Sequence, residues 1–359
     1  MAPSIIDLRS DTVTKPTPGM RAAMAAAEVG DDVIDVDPSC ERLEQMTAKL
    51  LGKEAAIFMP SGSMSNQIAV RIHCKPGDEF LCESGCHIYN YEQGAFAQLS
   101  GVVARTFDGE QGVLTVDQLK GTVRPWNDHL VRTRMVCLEN THNRGAGRVQ
   151  PFDVVKEISD WGRSEGLRVH LDGARLMNAV AASGIAADRW CDLFDTVSIC
   201  FSKGLGAPIG SALAGPKEMI VEARRHRKLF GGAMRQVGVI ASAAAYALEH
   251  HVARLVDDHA NAQILATAVS RSEHLTLLPV DTNIIIFKVS ARLGGAAIFA
   301  AELKSRGVLC FATSPTQIRL VTHLDVTAEE CQTAGEIIVE VAQDLAAGVR
   351  RAQVVEAAY

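Results

Sequence analysis

Apolar positions along this chain alternate between two rhythms, short continuous runs and longer stretches at helical spacing. Leu43, Met46 and Leu50 recur at i, i+3 and i+7 behind Ser39, a residue able to cap a helix, and Gly52 stands just beyond. That spacing predicts a helix started by Ser39. The run Ala55–Met59 then reads as a buried strand that breaks at Pro60-Ser61-Gly62-Ser63. Further strand-like runs are Glu79–Cys82, Gly101–Thr106, Arg134–Glu139, Arg168–Asp172, Thr196–Cys200 and Ile209–Ala214, with helix-like segments such as Pro151–Gly166 and Gly173–Ala182 between them. Strands alternating with helices predict an α/β fold built on a mainly parallel sheet covered on both faces.

The rhythm changes near His250–Arg254. A helical pattern runs to about Ser272, followed by the strand-like Asn283–Val289, the helix-like Ala296–Arg306, the strand-like Gln317–Thr322, and a last helix from Thr327 to about Val349. The expectation is a large α/β domain with an N-terminal arm over residues 1–250 and a smaller α+β domain over 251–359. Composition narrows the class. Lys plus Arg is 36 against 42 Asp plus Glu, a net charge of −6, which gives no general electrostatic case for nucleic acid. The longest apolar stretch, Val237–Leu248, is far short of the roughly 18 residues that cross a bilayer, so no membrane partner is expected. The first residues carry no basic flank leading to an apolar core, and the 9 cysteines are scattered, so a reducing, cytoplasmic setting is expected.

Ligands of open α/β sheets sit at the carboxyl ends of strands, so the residues behind each run are the informative ones. Behind Ala55–Met59 stand Ser61-Gly62-Ser63, small and hydroxylated, at what reads as a helix start, where backbone N–H groups favour an anion. Behind Arg168–Leu171 stands Asp172, and behind Thr196–Cys200 stands Lys203 in a glycine-rich turn. Each alone is ordinary: a turn, a helix cap, a surface lysine. Together, an anion cradle, an acid and a lysine are the set that pyridoxal phosphate requires. The competing cofactor motifs fail, since Gly204–Gly210 misses the dinucleotide glycine spacing by one residue and no phosphate-binding G-x-x-x-x-G-K-[ST] occurs.

Further segments make the chain recognisable. Asp7-Leu8-Arg9-Ser10-Asp11-Thr12-Val13-Thr14, Gly30-Asp31-Asp32-Val33 and Gly52-Lys53-Glu54-Ala55-Ala56 come first. Leu138-Glu139-Asn140-Thr141-His142-Asn143, His170-Leu171-Asp172-Gly173-Ala174-Arg175 and Ser202-Lys203-Gly204-Leu205-Gly206 follow, then Gly232-Ala233-Met234-Arg235-Gln236 and Arg319-Leu320-Val321-Thr322-His323. In this order they resemble the low-specificity L-threonine aldolases of the β-eliminating lyase group, which are fold-type I pyridoxal phosphate enzymes of the aspartate aminotransferase superfamily. The resemblance implies that Lys203 is the imine-forming lysine, Asp172 the partner of the pyridine nitrogen, and His87 the histidine stacked on the cofactor ring. It implies a phosphate loop at Ser61, Gly62 and Ser63, where the family often has threonine. Arg319 and Ser10 are implied for the substrate carboxylate, and Arg175 for a place near cofactor and substrate. Arg235, and less clearly Lys228, would reach a neighbouring subunit's phosphate in a homo-oligomer, a tetramer with sites at a dimer interface. Cys82, Cys86 and His87 lie close in sequence, but no second ligand pair accompanies them, so no metal is expected.

The implied reaction is cleavage of a β-hydroxy-α-amino acid such as L-threonine, L-allo-threonine or phenylserine to glycine and an aldehyde. His142 is the expected base toward the β-hydroxyl, with His87 the alternative, and the sequence does not separate them. A β-elimination lyase or an aminotransferase would share the lysine, acid and cradle, and a non-catalytic binding protein would not need Lys203. One departure stands out: Ile34 follows Gly30-Asp31-Asp32-Val33 where the family usually has tyrosine.

Overall fold

The computed structural model describes residues 5–350 and residue 352. Contacts divide the chain into one unit spanning Pro16–Ala253 and another made of the segment ending at Lys15 and the chain from Arg254 onward. In the first unit, seven strands form one sheet among the described residues: β1 (Ala55–Met59), β2 (Asp78–Glu83), β3 (Val103–Phe107), β4 (Arg132–Glu139), β5 (Arg168–Gly173), β6 (Thr196–Cys200) and β7 (Ser211–Gly215). Their order is β1-β7-β6-β5-β4-β2-β3, and only β7 runs antiparallel to its neighbours. The mainly parallel sheet expected from the alternation is therefore present, with each strand found within a few residues of its apolar run. Strands β2, β6 and β7 are buried at every position, as a sheet covered on both faces demands, whereas the edge strand β3 is half-exposed.

One cap differs from expectation. The helix Pro38–Leu50 begins at Asp37, whose carboxylate accepts from the Cys40 N–H at 3.0 Å, while the Ser39 hydroxyl instead donates to the Glu28 carbonyl at 2.7 Å. Pro38 at the first helical position, with its fixed φ and absent N–H, suits Asp37 as the cap. The same carboxylate accepts from Gly238 N–H at 2.9 Å, at the start of the helix Gly238–His250. A β-carbon on Gly238 would lie 2.2 Å from Asp37 Oδ1, so this second capping bond requires glycine.

The other unit holds an antiparallel sheet of β8 (Leu275–Leu277), β9 (Ile284–Val289), β10 (Phe311–Ser314) and β11 (Gln317–Val321), in the order β10-β11-β9-β8. The helices Leu255–Val269, Ala296–Ser305 and Ala328–Ala346 contribute to its core, where Phe287 and Phe299 meet edge-on at 5.8 Å. Thr327 and Glu330 form a reciprocal capping box at the start of the last helix. The sequence reading placed the N-terminal arm with residues 1–250. In the structure Ile6–Asp7 pairs in parallel with Val308–Leu309, and the buried Ile6 and Leu8 join this smaller core. Two apolar residues carry too little periodicity to reveal a strand whose partner lies some 300 residues away. Among the described residues no helix is long and apolar enough to cross a membrane.

Candidate active site

The parallel strands all deliver their carboxyl ends to one edge of the large sheet, and each delivers a polar group there. β1 leads through Pro60 into the helix Gly62–His73, with Ser61 as its cap accepting from the Met64 N–H at 3.2 Å. A β-carbon on Gly62 would stand 2.7 Å from Cys200 Sγ, so the helix start can pack this closely on β6 only as glycine. β5 carries Asp172 as its penultimate residue, and β6 leads into Ser202 and Lys203. These ends surround a cavity of about 290 Å³ lined by Ser61, Gly62, Ser63, Asn66, His87, Asp172, Ser202 and Lys203, among others.

Asp172 is 3% exposed and accepts from Asn66 Nδ2 at 2.8 Å and from the Ala174 N–H at 3.1 Å. Burial by itself would raise its pKa, but His87, Lys203 and the Asn66 hydrogen bond outweigh it, and the carboxyl is held below its ordinary value. His87 opens the short helix His87–Asn90, its backbone N–H donating to Glu139 Oε2 at 2.7 Å and its Nδ1 lying 2.9 Å from Glu92 Oε1. Burial opposes charge on this ring. The hydrogen bond to Glu92 and the charges of Asp172 and Glu92 prevail over burial and over Lys203, so the pKa is raised.

His142 sits differently. It is 1% exposed, with Nε2 at 2.9 Å from Glu83 Oε2 and Nδ1 accepting from the Gly145 N–H at 3.0 Å. A β-carbon on Gly112 would fall 2.3 Å from its ring, so the loop closes over it. Burial resists protonation, yet Glu139 and Glu83 raise the pKa. Two strand-end glutamates organise both histidine loops. Glu139 binds the backbone N–H of His87 and of Asn143, and Glu83 binds those of Gly85 and Gly109 together with the His142 ring.

The structure thus gathers Ser61, Gly62, Ser63, His87, Asp172 and Lys203 around one cavity, as the resemblance implies. His142, Arg175 and Arg235 are in the same unit but outside the described cavity lining. Arg175 is buried beside Ala174 at the start of the helix Leu176–Ser183. Arg235 pairs with Asp31 at 3.0 Å, with its side chain about half exposed. Ser10 and Arg319 belong to the other unit. Ser10 accepts from the Thr12 N–H at 3.2 Å, and Arg319, on β11, donates to the Arg9 carbonyl at 3.3 Å and lies over the Phe311 ring at 5.9 Å. Sequence reasoning missed Asn66, Glu92, Glu139 and Ser202. Asn66 had a signal, a polar residue one turn into the helix that starts at the cradle; Glu92 had none.

The donor set fits pyridoxal phosphate. The helix start at Ser61-Gly62-Ser63 and the Ser202 hydroxyl suit a phosphate, Lys203 supplies an amine for its aldehyde, and a buried, ionised Asp172 suits a protonated pyridine nitrogen. Comparison with known proteins agrees. The family model for β-eliminating lyases matches residues 7–292. A probable low-specificity L-threonine aldolase 2 of Arabidopsis thaliana is 43% identical over 90% of this chain and 93% of its own length. The low specificity L-threonine aldolase of Escherichia coli K12 is 42% identical over 91% of this chain and 96% of its own. Among solved structures, a threonine aldolase of Leishmania major shares the fold, with a TM-score of 0.82 at 20% identity, covering 95% of this chain and all of the other. On the match to residues 7–292 and these identities, this chain belongs to the β-eliminating lyase family.

Proposed function

We propose that this protein is a pyridoxal phosphate-dependent carbon–carbon lyase that cleaves L-threonine, L-allo-threonine and related β-hydroxy-α-amino acids to glycine and an aldehyde. The observation that carries the reading is Lys203 and a buried Asp172 on one cavity, in a chain 42–43% identical to low-specificity L-threonine aldolases over nine-tenths of its length. When bound, pyridoxal phosphate supplies the electron sink for the carbanion left at Cα as the Cα–Cβ bond breaks. The protein's own residues do the rest. Lys203 presents the amine that holds the cofactor and is regained at product release. Asp172 keeps its charge under the Asn66 hydrogen bond and so can hold a proton on the pyridine nitrogen. The helix start at Ser61-Gly62-Ser63 binds phosphate through its N–H groups.

His87 is the histidine proposed for the β-hydroxyl proton. It lines the cavity, and Glu92 occupies Nδ1, which leaves Nε2 as the nitrogen to accept the proton. The sealed His142 is proposed as a positioning residue, tied to the loop of His87 through Glu139. Arg319 and Ser10 are proposed for the substrate carboxylate and Arg175 for a place near cofactor and substrate, on the family resemblance. The enzyme is proposed to be cytoplasmic, as unpaired cysteines suit a reducing compartment. A homo-oligomer, taken as a tetramer on the family resemblance, is supported as far as self-association by apolar exposure in one loop, where Val29, Val33, Ile34 and Val36 are 43%, 37%, 80% and 46% accessible. Arg235 stands beside this loop through Asp31 and is proposed to reach a neighbouring subunit's phosphate.

Aldehyde release from L-threonine, L-allo-threonine and phenylserine with added pyridoxal phosphate is the direct test. Pyruvate and ammonia from serine without aldehyde release would make the protein an elimination lyase instead, and dependence on a 2-oxo acid would make it an aminotransferase. Lys203→Ala is expected to remove both turnover and the visible cofactor absorption; a borohydride-trapped adduct surviving in that variant would place the imine on another lysine.

A further inference from the structure

Behind the cavity wall, a chain of neutral groups ends on two carboxylates. His73 Nε2 lies 2.7 Å from Thr196 Oγ1, which lies 2.9 Å from His170 Nδ1, and His170 Nε2 lies 3.3 Å from Asn66 Oδ1. His170 Nδ1 also lies 3.2 Å from the Thr196 carbonyl oxygen, and His73 Nδ1 has no partner among the described residues, but one run of protons links the four side chains. His73 donates to Thr196, Thr196 to His170, and His170 to the Asn66 carbonyl oxygen. Burial keeps both histidines neutral, at about 3 for His73 and about 4 for His170. The Asn66 amide must then point its nitrogen the other way, and Nδ2 donates to Glu92 Oε1 at 2.9 Å and to Asp172 Oδ2 at 2.8 Å. Both of its N–H groups are spent on carboxylates.

Glu92 enters the functional reading only as the partner of His87 Nδ1, and its bonds to Asn66 and Gln67 are not used there. It is 4% exposed, and its oxygens accept from three side chains: Asn66, Gln67 at 2.5 Å, and His87 at 2.9 Å. A buried carboxylate with three donors holds those side chains in place, because losing it would leave all three without a partner in the interior. The chain turns it inward with two successive left-handed residues, Gln93 at φ 57° and Gly94 at φ 63°, and glutamine tolerates that region poorly. A ring nitrogen of His87 and carboxylate oxygens of Glu92 and Asp172 all lie within 4.8 Å of one another.

We propose that Glu92 is a positioning residue of this site, which fixes the His87 ring through Nδ1 and, through the shared Asn66 amide, ties the proton on His87 to the charge on Asp172. The proposal rests on the reading of His87 and Asp172 as cofactor-site residues. The charged groups facing His87 are Glu92, Asp172 and Lys203, with Glu139 at its backbone N–H and the Tyr91 ring at 5.6 Å. Of these, Glu92 alone bonds the ring by its side chain at Nδ1.

Glu92→Gln isolates the charge. Gln67 Oε1 has no hydrogen-bond partner, so a flip of the Gln67 amide can accept from the new side-chain NH2 while its oxygen still receives Asn66 and His87. The measurement is the pH titration of the His87 ring in 15N-histidine-labelled full-length protein, with and without added pyridoxal phosphate. Expected is a fall of the His87 midpoint by one pH unit or more in Glu92→Gln, and a substantial return toward the parent value in Glu92→Asp. Gln67→Met, which touches the same carboxylate but not the histidine, is expected to leave it in place. An unchanged midpoint in Glu92→Gln, or an equal shift in Gln67→Met, overturns the proposal. Failure of the parent protein to develop a visible cofactor band counts against the functional reading instead, while the titration without cofactor still decides the role of Glu92.

Discussion

His87 and His142 make a controlled comparison within one molecule. Each holds a ring nitrogen 2.9 Å from a glutamate, and in each burial opposes the charge while nearby carboxylates raise the pKa. They differ in access. His87 spends only Nδ1 on its glutamate and lines the cavity; His142 spends both nitrogens and lies under the loop that includes Gly112. A carboxylate partner therefore does not by itself mark a base. A ring nitrogen must also be left facing space that a substrate can enter.

The largest expected effect tests this contrast directly. His87→Asn is expected to lower kcat by roughly 10²–10⁴-fold, the range for loss of a positioned acid–base group, with little change in melting temperature. In the same assay His142→Asn should keep a larger share of kcat. Reversal of that order would make His142 the base and His87 a ring support. The acid limb of the rate profile sharpens the comparison further. A base works only when deprotonated, so turnover should fall as pH drops through the raised His87 midpoint, above the ordinary ~6.5. A limb well below that value would break the assignment.

Stability should show the opposite ranking. His142→Asn leaves Glu83 and the Gly145 N–H without their partner in a buried setting, and a cost of about 2–4 kcal/mol is expected in denaturant unfolding. A loss as small as that of an exposed substitution would mean the loop is not held by this ring.

The smallest effect concerns Glu83 and pH. Burial would raise its pKa, but the bond and charge of His142 and the N–H groups of Gly85 and Gly109 hold it below the ordinary 4.5. A depressed carboxylate contributes stability that is present above its unfolded value and lost as pH falls through its folded one. Thermal unfolding from pH 6 downward should therefore show a decline beginning below about 4.5 that is shallower in Glu83→Gln. Parallel curves for the two proteins would remove Glu83 from the acid sensitivity.

Much of this was legible along the chain because it is local. The apolar runs Ala55–Met59 and Thr196–Cys200 became strands over those same residues, since a strand buried on both faces needs an unbroken apolar run and little else. Lys203, Asp172 and Ser61–Ser63 stood out because sheet geometry sends strand ends to one edge, so position relative to a run already implies a shared site. The cap at Asp37 rather than Ser39 was less legible, for both residues can cap; Pro38 at the first helical position favours Asp37, and the Gly238 N–H on its carboxylate adds a bond that only the packed structure shows.

The amino-acid order by itself thus determined the alternation of strands and helices, the sheet edge that carries the chemistry, and the family. Tertiary structure alone decided which polar residues meet. Glu92 follows no apolar run and its partners Asn66 and Gln67 lie about 25 residues away, so no local pattern announces it. Ile6–Asp7 found its strand partner near residue 308 for the same reason. The separation of His87 from His142 also arose there, because access depends on which loop covers a ring. Burial and hydrogen-bond satisfaction are properties of the packed whole, set by contacts that carry no periodicity along the chain.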